Sequence, residues 1–245
     1  MNTKTQDHFL VVGGAQGLGR TVVRLLSAQG RSVSVLDRIP PEPGEGQPSI
    51  AHEVADLLDA PRVEQALALL CERGGPVRHV LFVQRYRGAA GGWEGELATS
   101  LDATRRIVEW LASRFPEDGG SILLVSSAAG RFVAEEQPAG YHVAKAATEQ
   151  LARYWAVTLG PRGVRCNCVA PAIFRKDGYP ADSPRDLALA PIIPLRRVPT
   201  AEEIGRVILF LCSPDAACVT GQTIVTDGGL SLLAQATLVQ RLAAP

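Results

Sequence analysis

The chain has 245 residues, of which 46% are apolar, so its length and composition allow one large domain with a sizeable core. Its 25 basic and 25 acidic side chains give a formal net charge of zero, which argues against nucleic-acid and membrane-surface partners because these need clustered Lys and Arg. The N-terminal segment has no secretory h-region, and no apolar stretch reaches the roughly 18–20 residues of a membrane span.

Strand-like apolar segments alternate with amphipathic, helix-like segments along the chain. This alternation predicts a single α/β domain over 1–245, a doubly wound parallel sheet of the Rossmann type with helices on both faces. A charged, proline-containing segment at 174–198 is expected to be mostly irregular. The predicted elements are strand 9–14, a helix ending near 30, strand 32–37, a loop at 40–48, helix 61–73, strand 77–83, helix 93–115, strand 121–127, helix 138–160, strand 164–171, helix 200–212 and strand 223–229.

A glycine cluster, VVGGAQGLGR, connects the first predicted strand to its helix. Small residues there let the backbone approach a pyrophosphate, and the helix N-terminus offers N–H donors to it. Asp37 ends the second strand, where a carboxylate can accept hydrogen bonds from both ribose hydroxyls. Asp37 therefore favours NAD, whereas the adjacent Arg38 could hold the extra phosphate of NADP. The glycines concerned are Gly13, Gly14, Gly17 and Gly19.

Tyr141 and Lys145 are four residues apart in a predicted helix, a spacing that places both on one face. A free phenol has a pKa of about 10, and a nearby ammonium lowers it toward the range that a general acid/base needs. Upstream, SSAAG contains Ser126 and Ser127 at the carboxyl end of a predicted strand, the edge where open α/β sheets bind ligands. A serine there can hydrogen-bond a substrate oxygen, although it can equally cap a turn.

Five cysteines are scattered along the chain, at 71, 166, 168, 212 and 218. Their odd number and their spacing fit neither a disulfide framework nor a usual zinc or redox pair. We interpret them as buried or inert thiols of a cytoplasmic protein, and no metal site is expected.

Taken in order along residues 9–232, these motifs resemble the short-chain dehydrogenase/reductase family. The resemblance implies a seven-stranded sheet and hydride transfer between a nicotinamide cofactor and a ketone or secondary alcohol. The motifs are GxxxGxG at Gly13, Gly17 and Gly19, the acidic Asp37, Asp56 in VADLLD, the serine of SSAAG, YxxxK at Tyr141 and Lys145, GPRGVRCNCVAPA at 160–172 and TGQTIVTDGG at 220–229.

The resemblance also implies roles for individual residues. Tyr141 would be the general acid/base, Lys145 would bind the nicotinamide ribose and lower the tyrosine pKa, and Ser127 would orient the substrate oxygen. A homodimer or homotetramer acting on a small carbonyl or alcohol substrate is expected. The expected cofactor contacts are Gly13, Gln16, Gly17, Leu18, Gly19, Asp37, Arg38, Asp56, Leu57, Tyr141, Lys145, Pro171 and Phe174.

The chain departs from the family pattern in two places near the expected cofactor. Val83-Gln84-Arg85-Tyr86 replaces the family's NNAG, which puts bulk beside the cofactor. Ser100 corresponds to the helix asparagine that supports a water relay to the lysine, and is therefore a candidate relay residue.

These departures leave alternatives open. The altered segment either rebuilds the substrate pocket, because Arg can clamp a carboxylate, or forms a solvated loop. A catalytically inactive, nucleotide-sensing or scaffold protein is the main alternative function, and the same residues could also serve imine reduction or isomerisation. The segment 174–198 is expected to act as a substrate lid, and the amphipathic tail 232–245 to reach a neighbour or cover the pocket. Candidate pocket residues are Arg85, Tyr86, Phe132 and His142.

Overall fold

One sheet of seven parallel strands occupies the centre of the molecule, and it confirms the expected doubly wound α/β fold. The computed structural model describes residues 7–41, 50–88 and 92–243. The strands are β1 His8–Val12, β2 Ser32–Asp37, β3 Ile50–Val54, β4 Val77–Phe82, β5 Gly120–Val125, β6 Val164–Pro171 and β7 Thr223–Thr226. Their order in the sheet is β3-β2-β1-β4-β5-β6-β7, so the direction of winding reverses between β1 and β4.

Helices cover both faces of this sheet because successive side chains of each strand point to opposite sides. The helices are α1 Gly17–Ala28, α2 Ala60–Gly74, α3 Trp93–Leu97, α4 Ala103–Ala112, α5 Ala139–Leu159, α6 Pro184–Leu189, α7 Ala201–Cys212 and α8 Gln235–Ala243. In β1, Leu10 and Val12 belong to the core beneath α2, α4 and α5, whereas Phe9 and Val11 belong to the core beneath α1 and α7.

The predicted helix 93–115 is not a single regular helix. A π-helical turn at Ala98–Asp102 separates α3 from α4, and it buries Ser100. Such a turn adds a residue to the helical repeat without changing the local composition, so the apolar periodicity gave no sign of it.

The edge strand β3 was not found from the sequence pattern, although the family resemblance required a seventh strand. Its sequence, IAHEV, carries His52 and Glu53 and lacks the continuous apolar run of the inner strands. The predicted loop at 40–48 lies mostly outside the described residues. In the described part of the chain, none of the helices combines the length and apolarity required to cross a bilayer.

The predicted lid and tail meet in the structure. Within 174–198, α6 and a short 3-10 turn at Ala190–Ile192 interrupt the irregular backbone. Asp177 ties this segment to α1, because its carboxylate accepts a hydrogen bond from Thr21 Oγ1 at 2.7 Å. The tail contains α8, and Arg241 donates from there to the carbonyl oxygen of Ile192 at 3.4 Å.

Candidate active site

A cavity of about 750 Å³ opens at the carboxyl ends of the strands, around the switch point between β1 and β4. Open α/β sheets bind their ligands at this position. The glycine loop, the ends of β2, β4 and β5, helix α5 and the 174–198 segment all contribute to its wall. The predicted residues in the wall are Gly13, Gln16, Gly17, Leu18, Gly19, Asp37, Arg38, Asp56, Leu57, Arg85, Tyr86, Ser127, Tyr141, Lys145, Pro171 and Phe174.

The glycine loop needs its glycines for two different reasons. Gly13 has φ +83° and Gly17 has φ +54°, a region that side chains rarely adopt. At Gly19, an added Cβ would lie 1.9 Å from the carbonyl oxygen of Gly13, so no other residue fits without moving the loop.

The N-terminus of α1 is suited to bind a phosphate group. No side chain among the described residues caps it at Gln16, and the residues of its first turn, Gly17, Leu18 and Gly19, line the cavity. Free N–H groups and the positive end of the helix dipole favour an anion there. The loop therefore fits the pyrophosphate of a dinucleotide cofactor.

Asp37 supports the glycine loop as well as facing the cavity. One carboxylate oxygen accepts the Ala15 N–H at 2.9 Å, and the other accepts the Ile39 N–H at 3.2 Å. These two hydrogen bonds fix the orientation of the Asp37 carboxylate. Arg38 lies beside it with an exposed side chain.

Asp56 and Leu57 form the neighbouring part of the wall. The Asp56 carboxylate accepts the Leu58 N–H at 2.9 Å, and Arg106 of α4 donates to the Leu57 carbonyl at 2.9 Å. Helix α4 and a hydrogen bond within the loop thus hold this short segment in the cavity wall.

Helix α5 brings Tyr141 and Lys145 into the cavity one turn apart, and both are buried. The Lys145 ammonium donates to the carbonyl oxygen of Val125 at 2.8 Å and lies 5.6 Å from the centre of the Tyr141 ring. Burial lowers the pKa of Lys145 to about 8; Arg85 acts in the same direction, and Glu96 opposes it. Lys145 therefore remains mostly protonated at neutral pH and places a positive charge near the Tyr141 ring.

The two serines of SSAAG have different contacts. The Ser126 hydroxyl is buried and donates to the carbonyl oxygen of Lys145 at 2.8 Å, which attaches α5 to the end of β5. The Ser127 oxygen accepts the Ala129 N–H at 3.2 Å, which leaves its hydroxyl proton for another acceptor. Both serines line the cavity, and the Ser127 hydroxyl is the one that donates no hydrogen bond to a described residue.

Buried Glu149 forms an ion pair with the more exposed Arg131 behind these serines, and the sequence analysis did not identify this pair. Arg131 donates twice to one carboxylate oxygen of Glu149, at 2.8 and 3.1 Å. Glu149 is 5% exposed, so this pairing compensates a charge that would otherwise be costly to bury. The pair fixes the turn after SSAAG onto α5.

The segment that replaces NNAG leaves the cavity open. Gln84 turns its side chain toward the helices, where its amide donates to the Thr104 hydroxyl at 2.8 Å. Its backbone packs against the glycine loop, since a Cβ on Gly13 would lie 2.5 Å from the Gln84 nitrogen. The bulk expected beside the cofactor is therefore directed partly behind the cavity.

Tyr86 is accommodated by three glycines. Added Cβ atoms at Gly88, Gly92 and Gly95 would lie 1.9, 2.8 and 2.3 Å from atoms of the Tyr86 side chain. The ring thus fits against the start of α3, while part of Tyr86 still lines the cavity.

Arg85 extends over the ring of Tyr141. Its guanidinium carbon lies 4.7 Å from the centre of the Tyr141 ring, and it donates to the side-chain oxygen of Gln137. Lys176 and Arg185 of the 174–198 segment line the same cavity. The sequence analysis proposed Arg85 for the pocket but did not identify Gln137, Lys176 or Arg185.

Ser100 lies behind Lys145 and not in the main cavity. It lines a small adjoining cavity together with Gln84, Thr104 and Lys145. Ser100 Oγ and Gln84 Oε1 are buried and have no hydrogen-bond partner among the described residues.

Phe132 and His142 are not among the described residues that line the main cavity, contrary to the expectation for both. The side chain of Phe132 is 52% exposed. His142 instead supports its own loop: Nε2 accepts the Ala134 N–H at 2.9 Å, and Nδ1 lies 3.0 Å from the Pro138 carbonyl. Proximity in sequence to Tyr141 did not place His142 in the wall because adjacent residues on a helix point in different directions.

The chain is similar in sequence to known proteins. Residues 85–231 match a family model described as enoyl-(acyl carrier protein) reductase. Protein FixR of Bradyrhizobium diazoefficiens is 31% identical over 91% of this chain and 86% of its own length. D-threitol dehydrogenase of Mycolicibacterium smegmatis is 26% identical over 91% of this chain and 92% of its own length.

The fold comparison points the same way. The crystal structure of a short-chain dehydrogenase/reductase from Brucella melitensis, titled glucose/ribitol dehydrogenase, is 27% identical. It superimposes with a TM-score of 0.79 over 91% of this chain and 96% of that one. These matches, together with the order of the strands in the sheet, show that the chain belongs to the short-chain dehydrogenase/reductase family.

Proposed function

We propose that the protein is an NAD(P)-dependent oxidoreductase that interconverts a ketone and a secondary alcohol. One observation carries the proposal: a single cavity is lined by both the glycine loop and the Tyr141–Lys145 pair. A nicotinamide dinucleotide bound there would supply or accept the hydride. A candidate general acid/base beside a cofactor loop supports hydride transfer coupled to proton transfer.

The protein's own groups would manage the proton. In the direction of reduction, Tyr141 gives its phenol proton to the carbonyl oxygen of the substrate. The positive charge of Lys145 stabilises the phenolate that remains. Ser127 donates a hydrogen bond to the same substrate oxygen and holds it toward Tyr141.

Ser100 is the proposed relay residue for returning that proton. It shares a small cavity with Lys145, and its hydroxyl lacks a partner among the described residues. One water molecule between Ser100, Gln84 and Lys145 would satisfy these buried groups and connect them.

NAD is the proposed cofactor, with NADP as the second choice. The Asp37 carboxylate is held at the cavity by two backbone N–H groups, and its charge would repel the additional phosphate of NADP. The exposed cation of Arg38 opposes this preference.

The first test is a calorimetric titration of the purified protein with NADH and, separately, with NADPH. A panel of carbonyl compounds then measures NADH oxidation by absorbance. Tyr141→Phe should lower kcat by about 100-fold or more while leaving NADH affinity unchanged. If wild-type protein binds neither cofactor, the assignment of the glycine loop is wrong; if Tyr141→Phe keeps full turnover, the catalytic assignment is wrong.

A nucleotide-sensing or scaffold protein without turnover is the second candidate function. The observation that favours it is the Arg85 side chain, which covers one face of the Tyr141 ring. Binding of NADH without turnover of any carbonyl compound, and a biological role that survives Tyr141→Phe, would support this candidate.

We also propose that the protein forms a homodimer or homotetramer in the cytoplasm. Val143, Tyr154 and Val157 of α5 are 44%, 59% and 76% exposed, and exposed apolar groups on one helix are typical of an interface. All five cysteines are free thiols, as is usual in a reducing compartment. Light scattering coupled to size exclusion tests the assembly, and a monomer at micromolar concentration would contradict it.

A further inference from the structure

Arg85 presents a cation beside the group that would react. Its guanidinium carbon is 4.7 Å from the centre of the Tyr141 ring, and the side chain is exposed to the cavity. In the described part of the chain its hydrogen bond goes to a neutral amide, that of Gln137, and none of the described carboxylates forms an ion pair with it. A guanidinium held in this way retains N–H donors for an incoming anion.

The cavity wall around Arg85 is also positively charged. Lys176 and Arg185 reach the cavity from the 174–198 segment, and Glu136 is the acidic residue on this side of the wall. Asp37 and Asp56 lie with the glycine loop and the end of β3, at the part assigned to the cofactor. The substrate part of the cavity is therefore net positive, which attracts an anion.

The buried carboxyl of Glu96 forms no ion pair with Arg85 and therefore does not take the place of a substrate anion. Its charge interacts with both Lys145 and Arg85, but burial is the larger effect and raises the pKa of the Glu96 carboxyl. Its Oε2 makes no hydrogen bond to any described residue, Arg85 included. The guanidinium of Arg85 thus remains available toward the cavity.

The position of Arg85 limits where the anion can be on the substrate. The carbonyl oxygen must meet the Tyr141 hydroxyl, while the anion meets a guanidinium stacked on the same ring. A planar guanidinium binds a carboxylate through two parallel N–H donors, which also fixes the orientation of the rest of the molecule. The anion and the carbonyl must therefore be close neighbours in the substrate.

We infer that Arg85 binds a carboxylate of the substrate and that the substrate is a short α- or β-keto acid or the corresponding hydroxy acid. This inference rests on the proposed function. In reduction, the carbonyl carbon gains a hydride from the reduced nicotinamide, the carbonyl oxygen gains the Tyr141 proton, and the carboxylate is unchanged. The products are the hydroxy acid and the oxidised nicotinamide.

The test compares keto acids with their methyl esters and amides of equal chain length, using the full-length protein and its preferred cofactor. Wild-type kcat/KM should favour the acids by at least about 10-fold. Arg85→Gln should lower kcat/KM for the acids by about 100-fold, mainly through KM, and should reduce the preference for acids over esters by at least about 10-fold. Arg85→Lys should recover part of the loss because it restores charge without the planar fork.

Arg162→Gln is the matched control, because Arg162 is exposed next to the amino end of β6, at the opposite edge of the sheet. Arg162→Gln should leave kcat/KM unchanged for the acids and for their esters and amides. Equal kcat/KM for acids and esters in wild-type protein, or an equal loss for both in Arg85→Gln, would overturn the inference.

A binding measurement separates this inference from the proposed function. Hydroxy acids and their amides are titrated into the protein–NADH complex. If no carbonyl compound is turned over, the proposed function fails. A carboxylate site is still supported if the hydroxy acids bind about 10-fold more tightly than the amides and if Arg85→Gln removes this difference in affinity. Equal affinity for the hydroxy acids and the amides would overturn the inferred carboxylate site at Arg85, whether or not the protein turns over a substrate.

Discussion

The side-chain amide of Gln84 donates to the Thr104 hydroxyl at 2.8 Å and so connects the end of β4 to the first turn of α4. Thr104 in turn donates to the carbonyl oxygen of Ser100 in the π-helical turn, at 2.9 Å. This chain of hydrogen bonds fixes the π-helical turn behind Lys145. It shows that the altered strand-four segment has its own means of holding the helices to the sheet.

We expect Gln84→Ala to lower the free energy of unfolding by about 1–2 kcal/mol, because it removes this hydrogen bond and opens a cavity. Urea denaturation measures the loss. A double-mutant cycle with Thr104→Val should show a coupling of about 0.5–1.5 kcal/mol, since the two residues are in contact. Additive effects of the two changes would contradict the assigned role.

Replacing each serine of SSAAG in turn distinguishes a structural role for Ser126 from a catalytic role for Ser127. Ser126→Ala should lower the free energy of unfolding by about 1 kcal/mol, because the Lys145 carbonyl loses its buried donor. Ser127→Ala should leave stability within about 0.5 kcal/mol and lower kcat with the best substrate by about 10-fold or more. Thermal unfolding and steady-state kinetics on both variants make the comparison, and a reversed pattern would show that the serine roles are exchanged.

Gly19→Ala should weaken NADH binding by more than about 10-fold and destabilise the fold. The new Cβ would lie 1.9 Å from the Gly13 carbonyl oxygen, so the cofactor loop would have to move. Gly30→Ala is the matched control: it has φ +69° but open space around the Cβ, far from the cavity. It should cost about 1–2 kcal/mol of stability and leave NADH binding unchanged. Calorimetric titration would contradict the prediction if Gly19→Ala bound NADH normally.

Asp37→Ala should raise the affinity for NADPH relative to NADH by about 10-fold, because it removes the charge that faces the ribose position. It should also loosen the glycine loop, since Ala15 and Ile39 lose their acceptors. Arg38→Gln should change the ratio in the opposite direction. An unchanged NADPH-to-NADH affinity ratio in both variants would show that these residues do not select the cofactor.

Lys145 makes stability depend on pH in a defined direction. Burial lowers its pKa to about 8, from 10.5, so between these values the unfolded chain binds more protons than the folded chain. Stability contributed by this group therefore rises with pH over that interval and is lowest below pH 8. The stability advantage of Lys145→Met over wild type should shrink as the pH rises from about 8 to about 10. Urea denaturation across this range tests it, and a constant difference would contradict the assignment.

Local sequence determined most of the fold and the outline of the site. Strand–helix alternation, the glycine loop and the Tyr141–Lys145 spacing depend on residues within one or two turns of each other, so they can be read without knowing the packing. The carboxyl ends of parallel strands meet at one edge, which predicted that Asp37 and Ser127 would share a cavity. The half-polar edge strand β3 was not found because its pattern lacks an apolar run.

Tertiary structure alone decided how the altered residues act. The sequence could not show that Gln84 points toward Thr104 or that three glycines accommodate Tyr86. Nor could it show that Arg85 stacks on Tyr141, 56 positions away in the printed sequence. These contacts depend on side-chain direction across distant elements, and on a π-helical turn that leaves no periodic signal. Spacing along the chain fixes which backbone segments meet, whereas the direction of each side chain follows from the packing of all its neighbours.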